Sequence, residues 1–450
     1  MPPSDGDADP LGAWLRAHAH ALRTLDPDAE DDADLEPLLD IVGDARVVAI
    51  GESMHRVHDF LDLRHRVFRF LHRRAGFTAL VMESGLPESR RVDDWIRTGR
   101  GRLRDSLREG VSYRFGACQE ILDQVTWMRG RTVTGRSAPR FFGMDIPDSA
   151  ASALPGVLAA LELLDEIDPA YSAHARGTLV PLFDYLPEDR SGLAQAAPAI
   201  QAHLALPADQ RAAITAGIAD LCARIRARRR EEIAALGGGA DAGAAVDLAI
   251  RCAESARAAD AFLSAMSAGA TRTWPPANVR DAWMADTVEW ILEREPRIVV
   301  AAANGHVQRT PFSAPPFVPD PMTTMGGHLA DRLGGDLVVI GTAFGGGEQW
   351  LHRPDPEDAP GHSRPFVAPV GPLDPASLDA ALSGSGIGDA LVDLRRSTPD
   401  AAAALDRTTG WHNGDVVQPG SAREAFDAVA FVRRVGPWHT WIDERGLERR

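Results

Sequence analysis

The chain has 450 residues, a formal net charge of −16, and 44% hydrophobic against 25% charged residues. That is ordinary globular composition, with material for a large core and one to three domains. The acidic balance and the lack of a basic stripe with interleaved aromatics exclude a nucleic-acid-binding surface.

The first ten residues, MPPSDGDADP, read as disordered, and Leu11–Leu22 as a short helix. The N-terminus lacks a basic region followed by an apolar run, so no signal peptide is expected. The acidic run Asp26–Asp34 reads as a solvated loop or helix cap, and Leu35–Val42 as helical. Arg46–Ile50 is Val-rich and reads as a short buried strand, followed by a helix over 57–74 and a second strand at Thr78–Met82. In the helix, Val57, Phe60, Leu61, Val67, Phe68 and Leu71 form one stripe, interrupted by Arg64. A guanidinium on an inward face needs a partner, and Glu83 and Glu52 are the candidates. His65 and His72 fall on the polar side of the helix and read as surface.

Further helices begin at Val92 and Cys118, and Phe141–Met144 is a third strand ending at Asp145. From about 150 to 275 the texture is Ala-rich and helical in period, without strand signals. This predicts two α/β core segments, 1–150 and 275–450, with a helical insertion at 151–274. Within the insertion, Gly237–Gly243 reads as a connection and Arg224–Arg230 as a solvated basic face. Strand texture returns at Arg297–Ala302, which runs into Ala303, Asn304, Gly305 and His306. Val279–Leu292 and Gly326–Leu333 read as helices and Asp336–Ile340 as a strand that ends in a Gly-rich tight turn. The Pro-rich segment 352–375 reads as a long loop, and Ala390–Asp393 and Ala428–Val432 as final strands. Trp274, Trp283, Trp290 and Trp350 read as core rather than ligand platforms.

Strands alternating with helices predict an α/β fold: a mostly parallel sheet covered by helices on both faces, with the helical insertion walling one side of a cleft. Ligands of such sheets bind outside the carboxyl ends of the strands. Glu52 and His55, Glu83, Asp145, Asn304 and His306 all follow strand ends. His55 lies near a helix N-terminus, where the dipole disfavours imidazolium, so it is suited to take a proton from water. Glu52 could orient it, and Arg64 with Glu83 could hold the geometry or bind an oxyanion.

Other chemistries compete. Gly51-Glu52-Ser53-Met54-His55 is placed like a nucleophile elbow, but the second small residue after the serine is replaced by His55, so Ser53 reads as a cap. Glu52, His55, His58, Glu83, Asp145 and His306 could supply a mixed set of metal ligands, yet no HExxH is present. Cys118, Cys222 and Cys252 form neither a disulfide framework nor a CxxC site. Every basic side chain other than histidine is arginine, which removes lysine as a Schiff base, phosphate-loop residue or general base. GTAFGGG fits neither GxGxxG nor a phosphate loop. No run reaches 18 apolar residues, so no membrane span and a cytoplasmic location are expected.

The stretch GDARVVAIGESMHRVHDFLDLRHRVFRFLHRRAGFTALVMES resembles the erythromycin esterase family, with its GE-x-x-H motif, a following arginine and a later glutamate. FFGMD, NVRDAWMADTVEWIL, ANGHV and MGGHLADRLGGDLVVIGTAFGGG extend the likeness over most of the chain outside the insertion. The resemblance implies a hydrolase that needs no metal or cofactor and opens a macrolactone or related bulky ester, without a covalent intermediate. It implies His55 as general base, Glu52 and Glu83 as orienting groups, Arg64 as their clamp and His306 as an aid at the carbonyl or leaving group. Asp145, Asn304 and His58 are expected to contact the substrate, a small molecule. The family's drug-hydrolysing members carry HN-x-H at the later motif, where this chain has Ala303-Asn304-Gly305-His306. Elimination or cyclisation of a natural product, metal-dependent hydrolysis and ligand binding without catalysis are the alternatives.

Overall fold

A computed structural model describes residues 9–133, 138–187, 193–268, 276–314, 318–354 and 363–441. The fold is mixed α/β with a mostly parallel sheet and many helices. The chain divides into two compact units. The first holds the described residues up to Leu80, Trp290–Leu351 and Pro365–His439; the second holds Val81–Glu289, His352–Arg364 and the chain from Thr440.

In chain order the strands are β1 (His20–Ala21), β2 (Val47–Glu52), β3 (Ala79–Gly85), β4 (Arg140–Asp145), β5 (Ile298–Ala303), β6 (Phe312–Ala314) and β7 (Val318–Met322). They continue with β8 (Leu337–Phe344), β9 (Glu348–Pro354), β10 (Ser363–Pro369), β11 (Ala390–Asp393), β12 (Gly410–Asn413), β13 (Val416–Pro419) and β14 (Ala428–Val432). In the first unit the sheet order is β1-β11-β14-β8-β2-β5. β2 runs parallel to both β5 and β8, and β14 parallel to β8. β11 is antiparallel to β14 and β1 antiparallel to β11. β2 and β8 are buried along their whole length, as near-continuous apolar runs in covered parallel sheets are. β12 and β13 form an antiparallel hairpin.

The strands run further than the apolar runs suggested. β2 ends on Glu52, β4 ends on Asp145, and β3 continues through Glu83 to Gly85. β8 likewise absorbs Gly341–Phe344 of the Gly-rich stretch. The Pro-rich segment, expected as a loop, carries β10 and the end of β9; the rest of its first half lies outside the described residues. Trp274 and the first eight residues also lie outside them. Trp283 is buried, while Trp290 and Trp350 are half-buried.

The helix His58–Arg74 corrects two expectations. His65 is buried, and His72 is half-buried with Nδ1 at 2.7 Å from the Phe77 carbonyl. The acidic run pairs with the arginines of the same helix. Asp34 accepts two hydrogen bonds from Arg66, at 2.9 and 2.7 Å, while Arg66 also donates to the Thr24 and Asp31 carbonyls. Asp28 pairs with Arg69 at 2.5 Å, Asp32 with Arg73 and Glu36 with Arg74. The run is therefore a brace laid over the polar face, with Arg66 and Asp34 themselves buried.

In the second unit β3 lies beside β4. Between Leu154 and Ser267 the described elements are all helices, and they share a core that includes Leu161, Leu164, Phe183, Ile218, Leu221 and Ala256. The basic cluster is exposed over residues 226–230, as a solvated face is, and it is also paired: Arg224 and Arg228 both reach Asp168, and Arg229 holds Asp247 at 2.6 Å. Cys118, Cys222 and Cys252, all in this unit, are buried thiols outside any disulfide. No helix among the described residues is long and apolar enough to cross a membrane.

Candidate active site

In the first unit the chemistry gathers where β2, β5 and β8 end. Glu52, the last residue of β2, pairs in register with Ala303, the last of β5. A Cβ on Gly51 would fall 2.0 Å from Asn304 Oδ1, so only glycine lets Asn304 close against β2. Asn304 is fully buried; its Nδ2 donates to the Thr342 carbonyl at 2.8 Å and its Oδ1 accepts the Thr342 N–H at 3.1 Å. The Ser53 N–H donates to Thr342 Oγ1 at 2.8 Å. Asn304 thus bolts β5 to β8, and Thr342 fixes the start of the loop that carries His55.

His55 Nδ1 is hydrogen-bonded to Glu52 Oε1. A carboxylate only accepts, so Nδ1 carries the proton and Nε2 is the basic position. The His55 side chain is 43% exposed and that of Glu52 only 5%. Arg64 Nη1 stands 3.8 Å from Glu52 Oε2, with the guanidinium buried. The arginine that interrupts the apolar stripe therefore has Glu52 as a counterion, and Glu52 sits between a guanidinium and an imidazole. His306 is half-buried in the one-turn helix Asn304–Val307. His58, half-buried at the helix start, lies 3.4 Å from Asp62 Oδ2 and edge-on to His439, with ring centroids 4.5 Å apart.

The second unit holds a cluster built on Arg280. Its Nε donates to Asp145 Oδ1 at 2.9 Å, and its Nη2 to Asp145 Oδ2 at 2.6 Å and to Glu83 Oε1 at 2.7 Å. Asp145 also accepts the Tyr113 hydroxyl at 3.1 Å and the Ile146 N–H at 2.8 Å. Burial acts to lower the Arg280 pKa, but Asp145, Tyr113 and Glu83 raise it further, so the guanidinium stays charged. Burial pushes the Tyr113 phenol well up, which keeps it a donor to Asp145. Asp145 is thus wholly occupied by the scaffold, and Glu83 has one oxygen held by the same cation.

Two loops with left-handed residues flank this cluster. Tyr113 and Arg114 in one, and Asp148, Ser149 and Ala150 in the other, have φ between 54° and 64°. The Tyr113 N–H donates to Ser149 Oγ at 2.9 Å. Glu88 accepts the Asp148 N–H, and burial pushes its carboxyl up to about 8. Glu88, Arg91, Val111, Tyr113, Ser149 and Leu158 line part of a cavity of about 560 Å³ within this unit.

Arg280, Tyr113 and Thr342 were not identified from the sequence. Arg280 carried a signal: it lies in the first turn of Ala277–Leu292, where the helix dipole favours anions, so a cation there calls for acids nearby. Tyr113 and Thr342 had none, since their partners are set by tertiary contact.

The family profile described as erythromycin esterase matches residues 72–435. Erythromycin esterase type II of Escherichia coli is 26% identical over 400 residues, covering 86% of this chain and 89% of the relative. Erythromycin esterase type I of the same organism is 23% identical over 425 residues, covering 92% and 96%. Among solved structures, a Bacillus cereus protein superposes with TM-score 0.76 at 22% identity, covering 96% of this chain and 98% of its own. An erythromycin esterase variant in its open conformation gives TM-score 0.73 at 19% identity, covering 92% and 96%. A succinoglycan biosynthesis protein gives the same score and identity, covering 97% and 100%.

Proposed function

The chain belongs to the erythromycin esterase family, and from that premise we propose that it hydrolyses the ester of a macrolactone or a related bulky natural product with water activated by His55. The observation that carries the reading is the chain of contacts from His55 to Glu52 to Arg64. His55 Nε2 takes a proton from water as the oxygen attacks the ester carbonyl. The tetrahedral intermediate collapses with cleavage of the acyl–oxygen bond, and the imidazolium returns its proton to the departing alkoxide. Glu52 holds the tautomer and stabilises the imidazolium, and Arg64 holds Glu52. Glu83 and His306 are assigned to water orientation and to the carbonyl or leaving group. Asp145 and Asn304, with Arg280 and Thr342, keep those groups in place. His58 is assigned to substrate contact.

Incubation with erythromycin tests this, with a product heavier by one water as the expected result. His55→Gln should lower turnover on the order of 10²–10⁴-fold while the protein stays folded. Turnover near wild type would remove His55 from the mechanism.

One observation favours a second reading. Ala303, which stands where the family resemblance leads one to expect a histidine, pairs with Glu52 in the sheet register and is partly exposed. A site lacking that imidazole suits proton abstraction with elimination or cyclisation of a natural-product intermediate. A product that gains no water would identify it.

A further inference from the structure

His55 stands on the short loop Ser53–Val57, between the end of β2 and the helix that starts at His58. Most anchors of that loop come from far along the chain. The Gly414 N–H donates to the Ser53 carbonyl at 2.7 Å, from the turn of the β12–β13 hairpin. The Trp438 N–H donates to the Arg56 carbonyl at 2.9 Å, and the His58 N–H to the Gly436 carbonyl at 3.0 Å. Between these two bonds, Val57 and Pro437 form an antiparallel bridge. The Gly436 N–H returns to Asp59 Oδ2 at 2.6 Å. The C-terminal segment Gly436–Trp438 is thus stitched along the loop.

The stitching holds an unfavourable backbone. Arg56, the residue after His55, has φ of 61°, a conformation that a side chain with Cβ rarely adopts. Its guanidinium lies 5.6 Å from the centroid of the Trp438 ring, within cation–π range. Both residues are buried, and Trp350 packs edge-on against Trp438 with ring centroids 5.5 Å apart. The φ of Arg56 sets the direction of the chain immediately after the imidazole. A more exposed His55 on an unpinned loop would sample positions beyond reach of Glu52.

We propose that Arg56 and Trp438 are positioning residues for the His55–Glu52 pair, Trp438 and its neighbours fixing the left-handed turn that keeps the imidazole on the carboxylate. The inference rests on His55 being the general base. It makes the C-terminal segment, far from the GE-x-x-H motif in sequence, part of the catalytic loop's geometry.

The test uses the full chain, with erythromycin as substrate and proton NMR as a readout that needs no substrate. Wild type should show a far-downfield imidazole N–H resonance that vanishes in His55→Gln, marking the bond to Glu52. Trp438→Ala should lose or broaden that resonance and lower kcat about 10- to 100-fold with KM within about twofold, as a misplaced catalytic group does. Trp438→Phe, which keeps a ring, should restore both. Arg56→Gly keeps the left-handed φ accessible but removes the guanidinium held against Trp438 and frees the turn to sample other conformations, so it should weaken the resonance and kcat in the same way. If Trp438→Ala does not fold, Arg56→Gly decides alone. The inference falls if His55→Gln abolishes turnover while Arg56→Gly and any folded Trp438→Ala keep both resonance and kcat. Unchanged turnover in His55→Gln would instead overturn the hydrolytic reading itself.

Discussion

Arg280 is the residue on which the second unit's acids depend. It bridges Glu83 and Asp145, both nearly inaccessible to water, and only Arg offers the planar fork that reaches two carboxylates at once. Arg280→Met should leave two buried carboxylates without their cation. The expected cost is about 3–5 kcal/mol, as for breaking a buried pair. Arg280→Lys should recover only part of it, because an ammonium cannot match the bidentate contact to Asp145. Urea unfolding of the two variants checks this, and an unchanged midpoint for Arg280→Met would mean that the cluster holds nothing. Arg64 in the first unit was legible for the reason Arg280 was not. It interrupts an apolar stripe, whereas Arg280 interrupts no pattern.

At the scale of an element, the helix His58–Arg74 shows where pattern reading stops. Its apolar stripe placed it correctly, but burial extends to Arg64, His65 and Arg66. Periodicity sees only the helix's own residues. The brace of Asp28, Asp32, Asp34 and Glu36 comes from a segment that looked solvated, and only tertiary pairing turns it into a cover. The burial of His65 in this helix has a testable consequence. Burial, then the cations of Arg69 and Arg64, push its imidazole down to about 3. In the unfolded chain a histidine protonates near 6.5. The unfolded state thus binds one more proton between those values, so stability is complete above about pH 6.5 and falls as pH drops towards 3. The slope reaches about 1.4 kcal/mol per pH unit at most. His65→Leu should flatten the fall of melting temperature between pH 7 and pH 4, a difference that calorimetry at several pH values would read. Equal pH dependence in both proteins would place the acid sensitivity elsewhere.

For the molecule as a whole, the strand–helix alternation, the central apolar strands and the acids near their ends were legible, because burial on both faces imposes a continuous apolar run. The helical texture after residue 150 was legible because Ala-rich helices keep their period. The short edge strand β1 and the β12–β13 hairpin were not, since neither carries a run long enough to stand out. The division of the chain into two units of three segments each depends on which residues touch. No local pattern encodes it.

The placement of the cysteines gives an experimental handle on that division. All three belong to the second unit, and burial pushes the Cys222 thiol up to about 11 and raises that of Cys252 as well. A maleimide dye added to the native protein should therefore label nothing, and mild denaturant should uncover labelling. Because the first unit contributes no sulfhydryl, the labelling rate is a clock for the opening of its neighbour alone, readable by mass spectrometry one adduct at a time.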